Sequence, residues 1–148
     1  MEQIIIRENS FENVKKEINK NKGKTIIFSS NNDDTNRKIL EKEKIGILLL
    51  NQKKRKDPQK QRNSGLNQVL AKIAKKNNIE IGINLDEIIE STKKEKSEIL
   101  ARVKQNIKIC NKNKIKMKFI SEKYKRDIYD VKALGLVLGM PTWMTKEL

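Results

Sequence analysis

Five apolar runs, each the length of a β-strand, alternate along this chain with segments whose apolar residues recur every three to four positions. Gln3 to Arg7, Lys24 to Ser29, Ile45 to Leu50, Ile79 to Asn84 and Ile115 to Ile120 read as the strands. Between the first two, Phe11, Val14 and Ile18 have helical spacing, with Ser10 placed to cap the helix and Gly23 to end it. A short helix runs through Ile39 and Leu40, drawing its caps from the polar run Asn31 to Asn36. Leu66, Val69, Leu70, Ile73 and Ala74 share one face of a third helix, which Ser64 is expected to open. A longer helix, from about Lys96 to Asn111, buries Ile99, Leu100, Val103, Ile107 and Cys110. The last, from about Asp127 to Met140, turns Ile128, Val131, Leu134 and Leu138 inward before Pro141 stops it.

Strands separated by helices must cross over, so this order predicts an α/β fold with a mainly parallel sheet and right-handed connections. Ile45 to Leu50 is apolar on both faces, as a buried parallel strand requires. Periodicity leaves two architectures open, a doubly wound open sheet and an incomplete barrel. At 148 residues the chain is expected to form one domain, 1–148, short of the ~250 residues typical of a closed eight-fold α/β barrel.

The surface carries 34 Lys and Arg against 19 Asp and Glu, a formal charge of +15. Such a field repels a second copy and attracts polyanions. An anionic membrane would call for a helix with bulky aromatics on its apolar face, but aromatics are 4% of the chain, so nucleic acid is the expected partner. Lys, Ile and Asn supply 65 of the 148 residues, all with A/T-rich codons, so part of the lysine content reflects coding bias. There is no His, which excludes imidazole catalysis and His metal ligands, and the single Cys110 excludes an internal disulfide and CxxC zinc sites. With no signal-peptide core in the N-terminal run and no apolar stretch of membrane-spanning length, the protein is expected in the cytoplasm.

Residues 51–63 break the alternation. Lys53, Lys54, Arg55, Lys56, Lys60 and Arg62 stand there against Asp57 alone, and the segment has no apolar residue apart from Pro58. It is expected to be an exposed, flexible loop after the third strand, where α/β folds place ligands and where such cations would neutralise phosphates. Lys104, Lys108 and Lys112 share a helix face that is either a second phosphate stripe or simply solvated. Lys125 and Arg126, with Lys123, occupy the turn before the last helix, in a position that suits phosphate. Lys72, Lys75 and Lys76 add charge to the third helix. Tyr124 and Trp143 are candidate stacking residues, although a lone Trp near a chain end more often packs. No GxSxG, GxxxxGK[ST] or GxGxxG motif is present. Asp33 and Asp34 are adjacent carboxylates before a helix, more readily caps than metal ligands, and Asp86, Glu87 and Glu90 favour a helical turn.

The run Arg62-Asn63-Ser64-Gly65-Leu66-Asn67-Gln68-Val69-Leu70-Ala71-Lys72-Ile73-Ala74, followed by the strand Ile79 to Asn84, resembles archaeal ribonuclease P protein component 3. That family includes the thirty-kilodalton subunit of the eukaryotic enzyme. Phe119-Ile120-Ser121 and Asp130-Val131-Lys132-Ala133-Leu134-Gly135-Leu136-Val137-Leu138-Gly139-Met140 form a second matching block in the same order. The resemblance implies an incomplete or shortened TIM-like barrel of the polymerase and histidinol phosphatase type, lacking one or two N-terminal strand-helix units. It also implies a non-catalytic, RNA-binding subunit. In that enzyme the RNA, with Mg²⁺, removes 5′ leaders from precursor tRNA. The implied partners are the ribonuclease P RNA, a smaller protein subunit that pairs with this one and, indirectly, precursor tRNA, with no metal or cofactor held by this chain. Many relatives carry His where this chain has Gln68, and Pro-Arg where it has Ile128 and Tyr129; the RNA contacts expected there would pass to Arg62, Lys125 or Arg126. Two other readings fit the residues alone: a general nucleic-acid-binding module, and a stand-alone metal-dependent phosphoesterase using Asp33 and Asp34.

Overall fold

The computed structural model describes residues 2–7 and 10–148. Among them five parallel strands form one sheet: β1 (Gln3–Arg7), β2 (Thr25–Ser29), β3 (Ile47–Leu50), β4 (Glu80–Asn84) and β5 (Met117–Ile120). Their spatial order, β1-β2-β3-β4-β5, is their order in the sequence. A doubly wound sheet reverses direction at a switch point, and this one does not. The arrangement is therefore a run of five consecutive units of a singly wound barrel wall, which settles the choice that periodicity left open.

Winding in one direction puts the helices on one face. Ile6, Ile26, Phe28, Leu48, Leu50, Ile81, Ile83 and Met117 point to that face and form the main core. Covering them are α1 (Phe11–Lys20), α2 (Asp33–Lys42), α3 (Gln68–Lys76), α4 (Leu85–Glu90) and α5 (Lys93–Lys112). Burying each of the large aliphatic side chains there is worth about 1.5–3 kcal/mol. The opposite face holds a separate small cluster of Ile27, Ile47 and Leu49, against which Ile5 of β1 and Ile120 of β5 both pack. Packing of both edge strands onto one central cluster means that the sheet curls into a gutter, its concave face being the inside of the incomplete barrel.

Local chemistry delivers the chain into each strand. At the ends of α3 and α5, Asn78 and Lys114 take left-handed backbone angles (φ 56° for each). This lets Ile79 N–H donate to Ala74 O and Ile115 N–H to Cys110 O, both at 2.9 Å. Several expected boundaries shift. Helix α3 begins at Gln68 with Asn67 as its cap, accepting from Leu70 N–H at 2.9 Å, so Ser64 does not open it. Ser10 occupies the cap position of α1 without a side-chain bond, and Asn32, not Asp33 or Asp34, caps α2.

The last helical segment is two helices, α6 (Ile128–Val137) and α7 (Thr142–Lys146), with Pro141 as the cap of the second. Met144 on α7 is fully buried, and Trp143 is a packing residue whose indole N–H donates to Asn111 Oδ1 at 2.9 Å. On α6, Leu138 is buried just past the helix end, but Ile128 is exposed, along with Tyr129, Leu136 and Val137. No strand follows β5 among the described residues, so α6 has only one side to cover.

Candidate nucleic-acid interface

Mutual repulsion among six cations predicts a flexible segment after β3. The structure replaces that expectation with a braced one. Arg102, in the middle of α5 and only 3% exposed, reaches into the connection between Leu50 and Gln68. Its guanidinium donates to Asp57 Oδ1 at 3.1 Å, to Gln52 O at 2.9 Å and to Arg55 O at 2.8 Å. Arg55 turns inward as well. It holds both carboxylate oxygens of Asp33 (2.9 and 3.0 Å) and donates to Asn51 O and Asn63 Oδ1. Gly65, at φ +79°, leaves room for this side chain, since a Cβ there would stand 2.6 Å from Arg55 Nη2. Buried ion pairs of this kind add little net stability, but they fix one conformation out of many.

Two carboxylates complete the brace. Asp57 accepts from Arg102, which together with the Asn63 N–H at 2.7 Å holds its pKa below the usual carboxylate range; Arg62 lies 3.5 Å away. Glu87, on α4, accepts from the N–H groups of Gln52 (2.8 Å) and Lys53 (3.3 Å). Burial pushes its pKa up, and those two bonds only partly offset that. What the brace leaves outward is Lys53, Lys54, Lys56 and Lys60, all exposed, with no carboxylate within 4.0 Å among the described residues. Lys54 sits at φ 63°, a left-handed conformation costing about 1–2 kcal/mol in a side-chain-bearing residue, so the turn that presents it is held rather than relaxed.

The braced loop forms one wall of a cleft of about 570 Å³ at the carboxyl ends of the strands. Amides line its floor. Asn84 Nδ2 donates to Asn51 Oδ1 and Asn51 Nδ2 to Ser29 Oγ, both at 2.9 Å, a ladder across the ends of β4, β3 and β2. Arg7, ending β1, closes the far side and pairs with Glu122, beyond β5, across the mouth of the gutter. The turn after β5 is anchored by Asp86, whose carboxylate accepts from Ser121 Oγ (2.7 Å) and from the N–H groups of Glu122, Lys123 and Tyr124 (2.9–3.1 Å). Partial burial raises the Asp86 pKa, but these four bonds outweigh it and the net shift is downward.

The expected binding residues therefore fall into three groups. Lys53, Lys54, Lys56, Lys60 and Arg62 share the carboxyl-end face with the exposed Lys125 and Arg126. Arg55 belongs to the brace. Lys72, Lys75 and Lys76 are exposed on α3, which runs away from that face; Lys75 and Lys76 reach the amino end of β4, where Lys75 Nζ donates to Lys114 O. Lys104, Lys108 and Lys112 lie exposed along α5. Asp33 gives both oxygens to Arg55, and among the described residues no three His, Cys, Asp or Glu side chains gather as metal ligands.

Arg7, Asn51, Asn84, Glu87 and Arg102 are the residues sequence reasoning missed. One signal was available. Five of the six arginines pair with a carboxylate, against four of the 28 lysines, among the described residues. In a chain biased toward Lys, a retained Arg marks a place where a planar fork is needed.

Fold and face together define an α/β-barrel protein, built as an incomplete barrel wall, whose carboxyl-end mouth is cationic and braced by arginine. No family profile matches the chain. It is 31% identical over 97 residues to Ribonuclease P protein component 3 of Methanosarcina acetivorans, covering 66% of this chain and 38% of that protein. It is 26% identical over 129 residues to the protein of the same name from Methanococcus maripaludis strain C7, covering 87% of this chain and 52% of the relative. A chain in the cryo-EM structure of archaeal Ribonuclease P with mature tRNA superposes with a TM-score of 0.77 at 22% identity, covering 97% of this chain and 62% of that one. The chain is thus homologous to curated archaeal proteins named Ribonuclease P protein component 3. It spans roughly two-fifths to one half of the length of these curated relatives.

Proposed function

We propose that this protein is a subunit of ribonuclease P that binds the catalytic RNA through its carboxyl-end face and supports it in removing 5′ leaders from precursor tRNA. The carrying observation is the braced loop: four exposed lysines, with no carboxylate within 4.0 Å among the described residues, held in one arrangement by the buried guanidiniums of Arg102 and Arg55. Pre-ordering lowers the entropy cost of binding, and contacts between ammonium groups and phosphates give affinity and position while the RNA supplies the chemistry with its own Mg²⁺. Arg62, Lys125 and Arg126 extend the surface, and Lys72, Lys75 and Lys76 on α3 add further cationic contacts outside it. A smaller protein subunit is the proposed second partner, and the complex works in the cytoplasm. No helix among the described residues is long and apolar enough to cross a membrane.

The test is to add the purified protein to a component 3-dependent ribonuclease P RNA at limiting Mg²⁺ and measure precursor-tRNA cleavage alongside salt-dependent RNA binding. Stimulated cleavage is expected. Changing Lys53, Lys54, Lys56 and Lys60 together to Gln should reduce the slope of log K against log salt by about 0.7–0.9 for each phosphate that is no longer neutralised. No stimulation, or an unchanged slope, would overturn the assignment. Equal affinity for unrelated duplexes would favour the general nucleic-acid-binding module.

A further inference from the structure

The cleft behind the loop has features that a flat phosphate-backbone surface does not need. Its volume, about 570 Å³, is that of a small-ligand site, so a duplex would lie across its rim and only a chain end or a free nucleotide would enter. Its acids are already engaged: Asp33 is held in the fork of Arg55, and Glu87 takes the N–H groups of Gln52 and Lys53. Apart from Arg55, its cations are not: among the described residues Lys53, Lys54 and Lys56 line the cleft with no carboxylate within 4.0 Å, and Arg7 faces them with the exposed Glu122 as its counter-ion. The floor offers neutral amides, Asn51 and Asn84, with Asn31 beside them at 3.4 Å from Asn51 Nδ2. Concentrated positive charge over a neutral hydrogen-bonding floor suits a dianion better than a monoanion.

We propose that this cleft binds a terminal phosphomonoester, the 5′-phosphate of an RNA end or of a free nucleotide. A phosphodiester inside a chain carries one negative charge and two ester links. A phosphomonoester carries nearly two charges at neutral pH and three free oxygens, enough to engage Lys53, Lys54 and Arg7 together. The inference rests on the cationic-face reading above but narrows it to chain ends, using Arg7, Asn51 and Asn84, which the RNA-surface reading does not require. Glu122 acts as the resident competitor, occupying Arg7 until the phosphate replaces it.

The test compares one 12-nucleotide single-stranded RNA, 3′-labelled, bearing either a 5′-phosphate or a 5′-hydroxyl. Binding to the full chain is measured by fluorescence anisotropy at fixed salt. The 5′-phosphate form is expected to bind at least tenfold more tightly, and adenosine 5′-monophosphate, but not adenosine, to displace it. Arg7→Gln should reduce the preference to about twofold. Glu122→Gln should increase it, whereas loss of a purely structural ion pair would affect both variants in the same direction. Equal affinity for the two RNAs, or failure of the nucleotide to compete, would overturn the proposal. Equal affinity with a steep salt dependence would leave the RNA-surface reading intact. A clear 5′-phosphate preference without stimulated precursor-tRNA cleavage would refute that reading and leave this one standing.

Discussion

Replacing Arg102 tests whether the basic loop is held from inside. Its guanidinium makes three hydrogen bonds, to Asp57 Oδ1, Gln52 O and Arg55 O, from a site 3% exposed. Arg102→Met fills similar volume but removes every donor. Breaking a buried ion pair by removing one partner costs about 3–5 kcal/mol, with the groups it leaves unpaired included. The Asp57 side chain keeps 24% of its surface and is rehydrated, which points to the lower end, about 3 kcal/mol. For a chain of this size that is a fall in Tm of about 6–12 °C, within what a protein of ordinary stability survives. The local effect should exceed the global one. Trypsin should cut between Lys53 and Arg62 much faster in the variant, at temperatures where far-UV circular dichroism is unchanged. Arg102→Lys separates charge from geometry, because an ammonium at the end of a shorter reach does not serve three acceptors set around a planar fork. Lys should therefore restore less than half of the lost stability. A Tm within about 2 °C of the parent with an unchanged tryptic pattern would refute the brace.

Other expectations follow from the same network of bonds. Gly65→Ala puts a side chain into the left-handed region and against Arg55; Gly139→Ala, at φ +101° with open space around it, carries the backbone cost alone. Urea unfolding should show a loss of about 1–2 kcal/mol for Gly139→Ala and distinctly more for Gly65→Ala; equal losses would mean Arg55 is not confined. Asp86→Ala removes the acceptor for three N–H groups and the Ser121 hydroxyl, so hydrogen exchange at residues 122–124 should accelerate while that of β5 does not, at a cost of about 1–3 kcal/mol. Two carboxylates should act oppositely with pH. Asp57 binds its proton less tightly when folded, so its contribution is full above its ordinary value of 3.8 and fades as pH falls through the lower folded value. Glu87 binds its proton more tightly when folded, so stability should rise as pH falls from neutral through its raised value toward its ordinary 4.5. Glu87→Gln should abolish that rise, and its persistence in the variant would show that another group causes it.

The sequence by itself determined the five strands, the main helices between them and their order, though not the division of the last helical segment into α6 and α7. Ile45 to Leu50 is apolar on both faces and had to be an interior parallel strand, and the spacing of Ile99, Val103, Ile107 and Cys110 had to bury one face of a helix. These are local consequences of side-chain period, legible without a third dimension. Strand order was not: the same alternation serves a reversing sheet and a singly wound one, and only the β1-to-β5 register places every helix on one face and leaves a concave interior. The basic loop was visible as charge, but its conformation was not. Arg102 lies 45 residues from Asp57 in the chain, Glu87 35 from Gln52 and Arg7 115 from Glu122. No pattern within a segment records such pairings. Tertiary structure decided which cations are spent inside and which face outward, because a guanidinium with buried acceptors in reach is drawn in, while an ammonium without a partner stays in water.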